Sequence, residues 1–194
     1  SLRPPVFRKE DLENYDALLI GSGLGLELDS YRYVIDVFTL SKQPLVIDGD
    51  ALTILSSNLE LLRKQERTII LTPHMGEFQR LCPFHENDDI LFIAKEFAIK
   101  WHVTLVLKGP YTIVTDGDSA FRVMAGNKAM SVAGMGDVLA GMITSFLGQK
   151  YEPLKAALLG VFIHGYAGDE IAENNYTVIP SKLIERIPYV MKEI

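Results

Sequence analysis

Val103-Thr104-Leu105-Val106-Leu107-Lys108-Gly109-Pro110-Tyr111-Thr112-Ile113-Val114-Thr115-Asp116-Gly117-Asp118-Ser119-Ala120-Phe121-Arg122-Val123-Met124 is the stretch that decides the fold class. Its first five residues read as a strand. The runs 111–115 and 120–124 flank Asp116-Gly117-Asp118-Ser119, whose turn chemistry makes them an antiparallel hairpin. Toward the N-terminus, strands and helices alternate. The apolar run 15–20 reads as a buried strand stopped by Gly21-Ser22-Gly23-Leu24-Gly25. Residues 28–41 carry Val34, Val37 and Phe38 at helical spacing. A second strand, 44–48, ends in the acidic tip Asp48-Gly49-Asp50, and a short helical segment follows from Ala51. A third strand, 68–71, ends at Thr72-Pro73-His74, and 76–82 reads as helical. Residues 87–101 predict a longer helix capped at Asn87, with Ile90, Ile93, Ala94, Phe97 and Ala98 on one face. Beyond the hairpin come only helices, at 137–147, 154–174 and 181–192, the last following Pro180. This order predicts an α/β sheet with a mainly parallel core.

Composition narrows the class further. A chain of 194 residues, 48% hydrophobic and 23% charged, fits one globular domain. Its net charge of −6 argues against nucleic acid or an anionic membrane as the main partner. Cys82 is the single cysteine, so no internal disulfide forms and a reducing compartment is the easier assumption. No run approaches the roughly 18 apolar residues of a membrane span. The N-terminal stretch 1–9 lacks the apolar core of a signal peptide. A soluble cytoplasmic protein is the expectation.

Ligands of open α/β sheets sit beyond the carboxyl ends of the strands. Here those ends are the 21–25 glycine loop, Asp48-Gly49-Asp50, Thr72-Pro73-His74 and Lys108-Gly109-Pro110, expected to line one rim. Gly126-Asn127-Lys128-Ala129-Met130-Ser131-Val132-Ala133-Gly134-Met135-Gly136-Asp137 reads as a tight loop feeding a helix, and it could join them. Its glycines admit positive φ and close backbone approach, and the first helical turn offers unpaired amides to an anion. Asp137 is either the N-cap of that helix or a carboxylate that takes a proton from a hydroxyl held there. Gly21-Ser22-Gly23-Leu24-Gly25 resembles half of a dinucleotide fingerprint, and close approach of a flat ligand explains it equally. His74 is either a solvated residue at a helix start or a substrate contact tunable near neutral pH. Lys108 is either a turn lysine or a point-charge phosphate binder, with Thr112 a further donor. His164, in an apolar helix, reads as packed and hydrogen-bonded. No His or Cys pair has zinc spacing, so any metal is expected to be Mg²⁺ held by nucleotide phosphates and water.

In order, these segments resemble the ADP/ATP-dependent NAD(P)H-hydrate dehydratases of the ribokinase-like superfamily. The resemblance runs from Ile20-Gly21-Ser22-Gly23-Leu24-Gly25 through Val46-Ile47-Asp48-Gly49-Asp50-Ala51-Leu52 and Leu71-Thr72-Pro73-His74-Met75-Gly76-Glu77-Phe78. It continues through Leu107-Lys108-Gly109-Pro110-Tyr111-Thr112, the 126–139 segment and His164-Gly165-Tyr166-Ala167-Gly168-Asp169. It implies a three-layer sandwich with helices on both faces of the sheet, spanning residues 1–194 as one such domain. The implied reaction repairs hydrated NADH or NADPH. ADP or ATP, with Mg²⁺, phosphorylates the ring hydroxyl, and phosphate is then eliminated. By resemblance, Asp137 is the base, and the loop amides at Gly134 and Gly136 hold the transferring phosphoryl group. Gly25, His74 and Asp137 contact the hydrated dinucleotide, while Lys108, Gly109, Pro110, Tyr111, Thr112 and Gly136 meet the nucleotide. The family forms homo-oligomers, often tetramers, and is often accompanied by an epimerase for the same damaged cofactor, fused or separate.

Three departures stand out. Ala133 and Met135 replace a glycine and a threonine of the usual family loop, and Ser22 and Met75 each replace a common proline. Family domains also carry further strands and helices before the stretch beginning at Tyr15. An unpaired sheet edge with exposed apolar surface is therefore expected, leaving this chain alone poorly active or self-associating. Two alternatives accompany the reading: a sister small-molecule kinase of the hydroxyethylthiazole or sugar type, and a nucleotide-binding module without catalysis. Thr72-Pro73-His74 together with the 108–112 segment favours the dehydratase over the kinases.

Overall fold

Among the described residues, short β-branched and leucine-rich runs form a single six-stranded sheet in the order β1-β2-β3-β4-β5-β6. Its strands are Leu18–Ile20 (β1), Leu45–Ile47 (β2), Ile69–Leu71 (β3), Thr104–Leu107 (β4), Thr112–Thr115 (β5) and Ala120–Val123 (β6). The first four run parallel, with Leu45 opposite Ile69 and Ile70 opposite Thr104. The last two form the expected hairpin, antiparallel to β4 and to each other. The structure, a computed structural model, describes residues 9–63 and 65–194, so residues 1–8 of the stretch read for a signal peptide lie outside it. Among the described residues no helix is long and apolar enough to cross a membrane.

Side chains alternate across the sheet because successive strand residues point to opposite faces. Leu45, Ile47, Ile69 and Leu71 enter one core, while Val46, Ile70, Val106 and Val114 enter the other. The first face is covered by Leu28–Leu40 (α2), Gly49–Ser56 (α3), Met75–Leu81 (α5) and Ile90–Trp101 (α6). Met135–Gly148 (α7), Pro153–Ala172 (α8) and Pro180–Glu193 (α9) cover the second. The expected three layers are therefore present, and Val34, Val37 and Phe38 are the buried residues of α2.

Several boundaries differ from the sequence reading, each for a local reason. The first strand begins at Leu18 rather than residue 15, because the Tyr15 amide closes a turn onto the Leu12 carbonyl. Asp89, not Asn87, caps α6, its Oδ1 accepting from the amides of Leu91 and Phe92 at 3.0 and 3.2 Å. Asp88 is used one turn earlier, accepting from the His85 amide. The helix after the glycine loop starts at Met135, two residues before Asp137. Two short helices, Lys9–Glu13 (α1) and Glu60–Arg63 (α4), and a 3₁₀ turn at Lys128–Met130 lie where no periodic pattern signalled them. β1 ends one side of the sheet, and Tyr15, Leu19, Leu26 and Leu28, on it or flanking it, are exposed.

Phe78 anchors the first core. It is fully buried, packs edge-on to Phe97 at 5.3 Å between ring centres and lies 5.8 Å from Phe84. Phe78→Ala should therefore cost about 3–5 kcal/mol of unfolding free energy, read from denaturant midpoints. A loss within about 0.5 kcal/mol, the range of surface changes, would contradict this packing.

Candidate active site

Because β1–β4 are parallel, the loops leaving their carboxyl ends share one edge, and consecutive strands each supply one polar group there. Asp48 follows β2, Thr72 follows β3 and Lys108 follows β4. The Lys108 ammonium donates to Asp48 Oδ1 at 2.8 Å, and the Thr72 hydroxyl donates to the same oxygen at 2.9 Å. Asp48 is only 3% exposed. The Lys108 amide donates to the Pro73 carbonyl at 2.8 Å, so Lys108 and His74 form a one-residue parallel bridge beyond the strands.

The start of α7 reaches this rim, as expected of the glycine loop. Gly134 is the N-cap with φ +89°, a left-handed conformation that a Cβ would strain. That excludes Asp137 as the cap and puts it third in the helix, exposed to solvent. The Met135 amide turns back to Val132 and the Val138 amide opens the helical ladder on Gly134. Between them, the amides of Gly136 and Asp137 have no acceptor among the described residues. Two free amides at the positive end of a fourteen-residue helix can bind an anion, and Asp137 stands in that first turn.

Beside this turn lies a cleft of roughly 540 Å³. Lys108, Gly109, Pro110, Tyr111 and Thr112 form one wall, while Gly136 and residues from the 125–131 segment form the other. All six residues expected at the nucleotide thus face one space. Gly25, His74, Gly134 and Asp137 do not line it. Gly25, at φ +80°, donates its amide to Asp50 Oδ2 at 2.8 Å. His74 caps α5 rather than standing free: Nδ1 accepts from the amides of Gly76 and Glu77 at 3.0 and 3.2 Å. In return Glu77 Oε2 accepts the His74 amide at 2.7 Å, closing a capping box. With Nδ1 used as acceptor, the ring proton sits on Nε2.

Sequence reasoning missed two of the groups that shape the cleft. Asp48 was read only as part of an acidic tip, although its lysine partner sits at the same position after another strand. Asp169 of α8 accepts from the Gly126 amide at 2.8 Å and from Asn127 Nδ2 at 2.7 Å, tying the 125–131 wall to the helix. Gly165 permits that contact, since a Cβ there would lie 2.5 Å from the Ala125 carbonyl. An aspartate amid an apolar, glycine-spaced helix was the available signal. His164, as expected, is packed: its Nε2–H donates to the Met135 carbonyl at 3.1 Å. Burial pulls its pKa from the usual 6.5 to about 4; the Met135 bond opposes this and the Lys108 charge adds to it.

A mainly parallel sheet between two helical layers is the fold this chain shares with ribokinase-like proteins. A crystal structure of a ribokinase-like superfamily protein from Enterococcus faecalis superposes with TM-score 0.87 at 32% identity, covering 95% of this chain and 66% of that one. The chain belongs to the NAD(P)H-hydrate dehydratase family, whose model matches residues 4–189. An ADP-dependent (S)-NAD(P)H-hydrate dehydratase of Staphylococcus aureus is 37% identical over 190 residues, spanning 94% of this chain and 66% of the relative. The ADP/ATP-dependent NAD(P)H-hydrate dehydratase of Bacillus subtilis, co-crystallised with ATP and Mg²⁺ and soaked with CoA, matches at 31% identity and TM-score 0.80, covering 92% of this chain and 66% of that one. The chain thus spans just under two thirds of the length of these relatives.

The His164 shift has a stability consequence. Between about pH 4 and 6.5 the unfolded chain carries a proton on this ring that the folded one does not, so acidification through that window favours unfolding. The full effect is on the order of 3 kcal/mol, complete below about pH 4. His164→Asn should flatten this part of the stability curve, read by denaturant melts at several pH values. Parallel curves for the two proteins would contradict a neutral imidazole packed against the Met135 carbonyl.

Proposed function

We propose that this chain repairs hydrated NADH or NADPH by nucleotide-dependent dehydration. Asp137 removes the proton of the ring hydroxyl, whose oxygen attacks the terminal phosphoryl group of ADP or ATP and releases the shortened nucleotide. Phosphate then leaves, with loss of a proton from the neighbouring ring carbon, and the double bond of the reduced nicotinamide returns. The observation that carries this reading is the meeting of two free amides, an exposed carboxylate and a lysine beside a cleft. Free amides and the Lys108 ammonium take up charge on the transferring group, where positioning and electrostatics dominate catalysis.

The nucleotide fits the cleft between the 108–112 turn and the 125–131 wall. Gly25 and His74, on the far side of Lys108 along the same rim, receive the hydrated dinucleotide, with His74 offering its Nε2–H. Among the described residues no three His, Cys, Asp or Glu side chains converge to hold a metal. Mg²⁺ would instead be carried by phosphate oxygens and water, neutralising their charge. The Staphylococcus aureus relative is ADP-dependent and acts on the S form of the hydrate, and the Bacillus subtilis relative uses either nucleotide; this chain is taken to follow them. We further place residues 1–194 as a dehydratase domain working in the cytoplasm as a homo-oligomer, alongside an epimerase that supplies the S form.

Wild-type chain should restore reduced-nicotinamide absorbance from hydrated NADH with Mg²⁺ and one of the two nucleotides. Asp137→Asn should lower turnover by about 10²- to 10⁴-fold while leaving nucleotide affinity unchanged. Equal turnover in the two proteins would remove Asp137 from the reaction. Asp169→Ala leaves the Gly126 and Asn127 donors unpaired and loosens the cleft wall. It should raise the nucleotide KM by about tenfold with a smaller change in kcat. An unchanged KM would dissociate the wall from nucleotide binding.

A further inference from the structure

We propose that Asp48 is a positioning residue for phosphoryl transfer, holding the Lys108 ammonium beneath the first turn of α7; this deepens the functional reading above and rests on it. Lysine is a flexible point charge whose stem samples many rotamers unless something immobilises its end. Asp48 supplies that fixed end at 2.8 Å, reaching Lys108 across the intervening strand β3. The Thr72 hydroxyl, immediately after β3, fixes the carboxylate in turn by donating to the same oxygen at 2.9 Å.

The place where the ammonium is held is specific. An ideal Cβ on Gly136 would lie 3.2 Å from Lys108 Nζ and 3.6 Å from Asp48 Oδ2, so the pair stands against the backbone of the helix start. An ammonium has three donors, and one is spent on Asp48. The other two remain for an anion, and Lys108 and Gly136, with its free amide, line the same cleft before any anion arrives. Such preorganisation is what electrostatic catalysis requires. A Cβ at Gly136 would crowd the ammonium, which would have to give by a few tenths of an ångström.

Two other readings of Asp48 fit less well. A purely structural ion pair has no need of the cleft, yet Lys108 lines it and its side chain remains 21% exposed. Direct action on the substrate needs access, and the Asp48 side chain is 4% exposed. Its negative charge opposes anion binding, so it serves as an anchor and not as an affinity group.

The test combines a spectroscopic and a kinetic readout. The ¹⁵N signal of the Lys108 ammonium, assigned by its absence in Lys108→Met, should be protected from solvent exchange in the wild-type protein. It should lose that protection in Asp48→Asn and weaken in Thr72→Val, a milder change should the first variant fold poorly. Asp48→Asn should lower kcat by about 10- to 100-fold, as a misplacement of about 1 Å can, with little change in nucleotide KM. In the Lys108→Met background the same substitution should cost nothing further, because residues acting through one another are not additive. The proposal is overturned if Asp48→Asn costs the same factor with and without Lys108, or if it leaves kcat intact. Should the wild-type chain turn over no hydrated cofactor with either nucleotide, the functional reading fails, and the ammonium signal alone decides the placement. Its persistence in both variants would then reject the role of Asp48.

Discussion

Parallel pairing of β1 through β4 is the constraint from which the site follows. Parallel neighbours must be joined by crossovers, so every strand leaves the sheet at the same edge. Residues that mean little alone at their places in the chain, Asp48, Thr72 and Lys108, thereby become neighbours across three adjacent strands. The second helical layer delivers the start of α7 to that edge, with two amides that its own ladder cannot satisfy. Lys108 lines the cleft, and the bridge to His74 carries the rim on from it toward β3.

Much of the architecture was legible because short continuous apolar runs and glycine-marked turns are local signals. The β5–β6 hairpin follows from Asp116-Gly117-Asp118-Ser119, and the four strand ends on one rim follow from the alternation of elements. Cap chemistry was less legible: Asn87, Asp88 and Asp89 are all competent caps, and tertiary geometry selected Asp89. Asp137 is acidic and follows glycines, so it reads as a cap until the positive φ of Gly134 is known. The bonds of Asp48 to Lys108 and of Asp169 to Gly126 span sixty and forty-three residues, separations for which no periodicity carries a signal.

The departures from the usual family loop acquire a physical meaning. Met135 is 5% exposed and packs into the second core, where it secures the helix start from below. Its backbone carbonyl also holds His164, so one residue links α7 to α8 behind the cleft. Ala133 is exposed and precedes the left-handed Gly134, so its side chain does not enter either core. In the reading proposed above, the anion meets main-chain amides and Lys108, with Met135 supplying no hydroxyl where the usual loop has a threonine.

The central claim is that the first turn of α7 is where phosphate sits, and backbone amide shifts during titration with ADP or ATP and Mg²⁺ test it most directly. The account predicts saturable shifts at Gly136 and Asp137 together with the 109–112 turn and the 125–131 wall. Shifts confined to other surfaces, with Gly136 and Asp137 unmoved at saturation, would contradict it.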